Sequence, residues 1–187
     1  MPRCRHRQIW PAVPDDVKGV MKSEAEASTK LTGSDAVAAI IILEDGRYLL
    51  QHRDDIPQIW YPGHWGCFGG AVDEREDPIM ALKRELYEEI EFSPRELAYF
   101  SRFDFDLAEL GMDRYYRIYY VVPMTRAEHD RLVLHEGREM KAFSGEAILQ
   151  ELRMTPYDAF ALFLYHARRK LGTGWRKEYR GEATPSP

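Results

Sequence analysis

The feature that most constrains this chain is an apolar run, Ala36–Leu43, followed by Asp45-Gly46 and then by the alternating segment Arg47–His52. The run is the longest of its kind in the sequence, yet its eight residues fall far short of the roughly twenty needed to cross a bilayer. Its Val and Ile content predicts a strand, and Asp-Gly between two strand-like runs predicts a hairpin. The chain must therefore build a sheet early and find something to cover it.

Segments further along the chain supply the cover. Residues 54–64 are a loop carrying Pro57 and Pro62, and Trp65–Val72 is a short, Gly-rich, strand-like stretch. Asp77-Pro78 predicts a helix start, with Asp as cap and Pro in the first helical position, and the helix runs to about Ile90. Leu97–Asp106 and Arg114–Pro123 predict two strands around the turn at 110–113. Met140–Phe143 predicts a further short one. A second helix opens at Thr155-Pro156-Tyr157-Asp158 and reaches about Lys170, with Phe160, Leu162, Phe163, Leu164 and Ala167 as its apolar content. Hairpins mixed with helices predict an α/β domain in which helices flank a mixed sheet. Residues 1–33 read as a flexible N-terminal extension, because Pro2, Pro11 and Pro14 break any early helix. Residues 34–171 read as the domain, and 172–187 as a polar tail. Met21 is an alternative start.

Composition narrows the function classes. A chain of 187 residues with 44% hydrophobic content can bury one core. A net charge of −5 gives no basic face for nucleic acid. No run predicts a membrane span, and the N-terminus lacks the apolar stretch of a signal peptide. Cys4 and Cys67 form neither a disulfide framework nor a Cys-rich zinc site, so a reducing, cytoplasmic setting is the simpler expectation. Cys67 reads as a small buried apolar residue.

The chemistry concentrates in residues 70–92. Glu85, Glu88 and Glu89 stand at i, i+3 and i+4, within a sector of about 100° on a helix. Like charges so placed repel, and something positive should offset them. Ile79, Leu82, Leu86 and Ile90 form the apolar stripe expected to face the core, so the acidic stripe borders that face. Clustered carboxylates are hard-oxygen ligands suited to Mg²⁺ or Mn²⁺. Gly69-Gly70 before the helix lets backbone approach a bound group. A solvated acidic face is the competing explanation for a charge run of this kind.

The segment resembles the Nudix box, G-x5-E-x7-R-E-U-x-E-E-x-G-U, where U is a bulky apolar residue. Gly70, Glu76, Arg84, Glu85, Leu86, Glu88, Glu89 and Phe92 match in type and spacing. Glu91 stands where the family has Gly, which puts the helix exit in question. Trp65–Gly70 resembles the strand that leads into such boxes, with Phe68 in place of the usual Pro. The resemblance implies the Nudix α/β/α sandwich with a mixed sheet, and a Mg-dependent hydrolase (Mn as substitute) that cleaves the diphosphate linkage of a nucleoside diphosphate joined to another moiety. Carried over residue by residue, Glu85, Glu88 and Glu89 are metal ligands together with Gly70. Arg84 orients a catalytic carboxylate, and Glu76 supports the loop–helix geometry. The family often adds a Glu from a later loop. Here Glu136 is preferred to Glu139, because its Glu-Gly turn resembles the acidic loop of MutT-type members. The catalytic set is thus Arg84, Glu85, Glu88, Glu89 and Glu136. Gly69, Gly70, Trp65 and Tyr61 are the substrate-binding candidates, the two aromatics competing with a plain core role.

Two other readings bear on the resemblance. Isopentenyl-diphosphate isomerases share the fold and use a Cys in a Cys-x-His-Pro context, but Cys67 is followed by Phe-Gly-Gly. A catalytically weak domain kept as a nucleotide sensor or scaffold is the alternative, with Glu91 as its support. A nucleotide small molecule is the partner implied, with no nucleic acid or membrane, and a homodimer is left open. Leu107 stands where ADP-ribose-type members often carry Pro, and Glu109 and Leu110 where dinucleoside polyphosphate members often carry Tyr. The coenzyme A signature is also absent. NTP and NDP-sugar types remain.

Overall fold

The computed structural model describes residues 33–111, 113–150 and 153–171. The expected N-terminal extension and C-terminal tail lie outside the described residues, apart from Gly33. Six strands form one sheet: β1 (Ala36–Leu43), β2 (Tyr48–His52), β3 (Trp65–Gly66), β4 (Ala98–Phe105), β5 (Tyr115–Met124) and β6 (Glu139–Phe143). The order is β3-β2-β1-β5-β4, with β6 on the other edge of β2. β1 and β5 run parallel over the whole of β1, while β1–β2, β2–β3, β2–β6 and β4–β5 are antiparallel, so the sheet is mixed as expected.

The unbroken apolar run of β1 has a plain cause. Its alternate side chains enter two different cores. Val37, Ala39, Ile41 and Leu43 pack on one face with Leu82, Leu86, Ile90 and Phe92. Ala38 and Ile40 pack on the other with Ala161, Leu162 and Tyr165. The first partners belong to helix α1 (Pro78–Ile90) and its exit, the second to the long C-terminal helix (Pro156–Leu171). Helices on both faces of a mixed sheet make an α/β/α sandwich.

Several sequence expectations need correction. The strand expected over Trp65–Val72 pairs continuously only at Trp65–Gly66; beyond it, isolated bridges join Phe68 to Ala39 and Ala71 to Ala36. Gly69, at φ +125°, interrupts the pairing by turning the backbone into a conformation that side chains avoid. Ile79, expected on the core stripe, is 37% exposed, and Ala81 and Glu89 take buried places on that face instead. Phe160 and Phe163 are exposed, leaving Ala161, Leu162 and Tyr165 as the buried face of the C-terminal helix. Two short helices were not anticipated. Arg126–His129 is set by a capping box in which the Thr125 hydroxyl accepts from the Glu128 N–H while the Glu128 carboxylate accepts from the Thr125 N–H. Gly145–Gln150 is started by the Ser144 hydroxyl, which accepts from the Ala147 N–H. In chain order these are α2 and α3, and the C-terminal helix is α4.

Candidate active site

Helix α1 starts where the sequence predicts. The Asp77 carboxylate accepts from the N–H groups of Ile79 and Met80, and Pro78 occupies the first turn. Its C-terminal half carries Glu85, Glu88 and Glu89 toward the negative pole of the helix dipole, where anionic side chains are disfavoured and cations favoured. Their environments differ sharply. Glu88 is exposed, Glu85 is largely covered, and Glu89 is only 4% exposed.

Arg84 supplies the positive charge that the acidic stripe requires. Its Nε and Nη2 donate to the two oxygens of Glu76, at 3.0 and 2.9 Å. Nη1 donates to Glu85 at 2.8 Å and to Glu88 at 3.2 Å, and Nη2 also reaches the Ala71 carbonyl. Glu76 in turn accepts from the Asp73 N–H, which closes the loop before the helix. The guanidinium holds the Glu76 carboxyl below its usual range. Glu85 is pushed upward, because its burial outweighs the pull of Arg84.

Glu89 is placed differently. One carboxylate oxygen accepts from the Gly69 N–H at 2.8 Å, and the other lies 3.4 Å from the Gln51 amide nitrogen. Among the described residues these partners are both uncharged. Burial first, and then the nearby Glu136 and Glu85 carboxylates, raise its pKa to about 8, against the opposing effect of the Gly69 N–H. The charge of Glu136 is thus felt at Glu89 and Glu85. Glu139 instead lies in β6, paired in register with His52.

The two glycines are needed for different reasons. A Cβ on Gly69 would overlap the Val37 carbonyl oxygen of the adjacent strand. A Cβ on Gly70 would overlap the Glu85 carboxylate. Gly70 therefore leaves room above a carboxylate, and its own carbonyl accepts from the Val37 N–H and has a second lone pair. The aromatic candidates sit in packed surroundings. Trp65 stacks on His52 at 4.8 Å and meets Phe143 edge-on, while Tyr61, at φ +52°, lies edge-on to His64 and Tyr157. Among the described residues no three carboxylate, imidazole or thiol groups converge on one point, and Arg84 pairs with both Glu85 and Glu88.

Sequence reasoning missed three participants. Gln51 is buried and bridges the site, with its amide nitrogen near Glu89 and donating to the Glu136 carbonyl at 3.0 Å. A polar residue in the otherwise apolar Tyr48–Leu50 run was the available signal. His135 holds Glu91 at 2.7 Å. On the opposite face, buried Asp158 accepts from the Cys67 N–H, the Thr155 hydroxyl and the Tyr119 hydroxyl, and lies 3.3 Å from Arg117. Burial works most strongly against the Arg117 charge, but Asp158 together with Tyr119, Tyr157 and Cys67 holds its pKa above the ordinary value. Cys67 is buried, its thiol pushed well up by that burial. A cavity of about 930 Å³ lined by Leu43, Lys83, Arg95, Pro123 and Thr125, among others, includes none of these site residues, so volume does not locate the site.

No helix among the described residues is long and apolar enough to cross a membrane. Comparison with curated proteins gives no significant match. Solved structures do match. The MutT protein from Methanosarcina mazei Go1 is 21% identical and aligns over 76% of this chain and 99% of its own, with a TM-score of 0.63. The Escherichia coli ORF135 protein is 27% identical over 77% of this chain and 96% of its own, with a TM-score of 0.61. The NUDIX domain of Shewanella oneidensis NrtR, solved with ADP ribose, is 18% identical over 81% and 99%, with a TM-score of 0.57. The NUDIX domain model matches residues 34–170, the stretch that holds the sandwich, Gly69-Gly70, Arg84 and every carboxylate described above, and on that match the chain belongs to the Nudix family.

Proposed function

We propose that this protein is a Mg²⁺-dependent hydrolase that cleaves the diphosphate linkage of a nucleoside diphosphate joined to another moiety, of the NTP or NDP-sugar type. The observation that carries the reading is Glu89. Its carboxylate is buried within the electrostatic reach of Glu85 and Glu136, and its hydrogen-bond partners among the described residues are uncharged, an arrangement a hard cation would stabilise. The donor set fits such a cation, being carboxylate oxygens beside a glycine whose missing Cβ leaves space at Glu85. Glu85, Glu88 and Glu89 would hold it, with the Gly70 carbonyl. A bound Mg²⁺ would polarise phosphoryl oxygens and lower the pKa of coordinated water. Mn²⁺, with the same oxygen preference, would substitute.

The chain's own groups supply the rest. Arg84 keeps Glu85 and Glu88 at fixed positions through its ion pairs. Glu76 orients Arg84 by two-point contact, so it acts at one remove. Glu136, with Glu89, offers a carboxylate that can accept a proton from an attacking water. Gly69 and Gly70 allow backbone to approach the phosphates, and Tyr61 and Trp65 are the aromatic candidates for base or sugar contact. The buried, unbridged Cys67 fits a reducing, cytoplasmic setting.

The experiment is incubation with Mg²⁺ and a panel of NTPs, NDP-sugars, ADP-ribose, NADH and dinucleoside polyphosphates, with products identified by mass. Glu88→Gln and Glu89→Gln run in parallel. Release of a nucleoside monophosphate from one substrate, lost in both variants, supports the reading. Ligand binding without turnover across the panel replaces it with a sensor.

A further inference from the structure

We propose that Glu91 and His135 form a latch that positions the Glu136 loop over the acidic helix, a role that rests on the hydrolase reading above. Glu91 sits just past helix α1 at φ 52°, ψ 35°, a left-handed conformation that Gly adopts without strain and Glu does not. Its side chain uses that position. The carboxylate meets the His135 Nε2 at 2.7 Å, across 44 residues of sequence. His135 immediately precedes Glu136, so the contact grips the loop one residue from a carboxylate whose charge is felt at Glu85 and Glu89.

Leu132 and Leu134 pack against the core that α1 helps to form, and the loop's other polar ties act along its backbone. The His135 N–H donates to the Glu89 carbonyl at 2.8 Å, and the Val133 N–H reaches the Ile90 carbonyl at 3.4 Å. Beyond Glu136, Gly137 closes against Gln51 and His52 at φ +84°, and the Arg138 N–H donates to the His52 carbonyl. The Gln51 amide holds the Glu136 carbonyl. The loop is therefore pinned to helix α1 on one side and to β2 on the other, and Glu91–His135 adds a polar side-chain tie on the helix side to the apolar packing of Leu132 and Leu134. Both partners are about half exposed, at 49% and 47% of their side-chain surface, and exposed pairs contribute little to global stability. The contact's effect falls on where the loop sits. Glu91 and His135 are thus positioning residues, acting through Glu136.

The test compares Glu91→Gly, Glu91→Gln and His135→Ala in the full chain by hydrogen exchange of residues 133–137 and by turnover of the substrate found in the panel. Glu91→Gly and His135→Ala should speed exchange of these amides and lower kcat by roughly tenfold, with KM nearly unchanged, as expected when a reacting group is misplaced. The double variant should be no worse than the worse single one, since one contact is removed either way. Glu91→Gln keeps an acceptor for His135 and should retain most of the protection and activity, an outcome that separates a latch from a charge acting directly on the phosphates. Unchanged exchange in Glu91→Gly and His135→Ala overturns the proposal, as does faster exchange with undiminished kcat. If the wild-type chain turns over nothing in the panel, the hydrolase reading fails by itself, and the exchange result alone upholds or removes the latch.

Discussion

Arg84 grips Glu76 at two points, Nε to Oε1 and Nη2 to Oε2, while its remaining nitrogen, Nη1, reaches Glu85 and Glu88. One planar cation thus fixes three carboxylates, two of them on its own helix and one on the loop before it. Lysine has the charge but not the fork. Arg84→Lys is expected to keep the fold and to lower kcat by tenfold or more, on the order seen when reacting groups lose alignment, with a smaller change in KM. Steady-state kinetics beside a melting curve checks this. An unchanged kcat would mean that Glu85 and Glu88 need no holding.

Glu89 predicts how the metal-free protein responds to pH. Its pKa rises from an ordinary 4.5 to about 8 on folding, chiefly through burial. A carboxyl raised in this way favours the folded state below pH 4.5, where it is protonated in both states. That contribution falls as pH climbs from 4.5 through 8, as the unfolded chain releases its proton first. The loss is on the order of a few kcal/mol. Thermal melts in chelator should therefore show falling stability between pH 5 and 8.5, a slope that Glu89→Gln flattens. Added Mg²⁺ should raise Tm more at pH 8 than at pH 6, because only the ionised carboxylate binds a cation well. Equal Mg²⁺ effects at both pH values would count against Glu89 as a ligand.

Adjacent glycines should fail in different ways. On Gly69 a Cβ would meet the Val37 carbonyl, which belongs to a central strand and cannot move, and φ +125° is closed to alanine in any case. On Gly70 it would meet the end of the Glu85 side chain, which can swing aside. Gly69→Ala is expected to cost at least about 2 kcal/mol of stability, combining backbone strain with overpacking. Gly70→Ala should remain folded and lose activity through displacement of Glu85. Chemical denaturation and turnover, measured on both variants, distinguish the two. Similar stability loss in both would show that the site at Glu85 is as rigid as the strand.

How much of this was legible in the sequence depended on whether local rules or distant contacts set the outcome. The Asp77-Pro78 start, the Asp45-Gly46 hairpin and the doubly buried β1 follow from capping, turn chemistry and hydrophobic patterning, all local. Capping also marks α2 through Thr125 and Glu128, a local signal that the strand-rich surroundings obscure. The spacing of Glu85, Glu88 and Glu89 placed them on one stripe, but not their unequal burial. That depends on Gly69 and Gln51 arriving from the sheet. Ile79 illustrates the same limit. Helical periodicity assigned it to the core, but the face of α1 that the sheet covers is rotated toward Ala81 and Glu89. Gln51, His135 and Asp158 matter through partners between 38 and 91 residues away, which no spacing rule reaches.

Asp158 carries the last prediction. Its two oxygens accept from the Thr155 and Tyr119 hydroxyls and from the Cys67 N–H, and Arg117 lies against it. Cys67 is two residues before Gly69, so helix α4 holds the strand that delivers Gly69 to Glu89 on the far side of the sheet. Truncating Asp158 strands a buried guanidinium whose Nε has no hydrogen-bond partner among the described residues, and orphans three donors as well. Asp158→Ala should therefore cost about 3–5 kcal/mol, the scale of breaking a buried ion pair from one side. Asp158→Asn keeps acceptor capacity but removes the charge that offsets Arg117, and should fall between the wild type and Asp158→Ala. Pairing Asp158→Ala with Arg117→Leu should restore part of the loss, because the stranded charge is then gone. Urea denaturation of these three variants and of Arg117→Leu alone decides it. If Arg117→Leu adds its own full cost to Asp158→Ala, the buried charge is not what makes the single change expensive, and the orphaned Cys67, Thr155 and Tyr119 donors are.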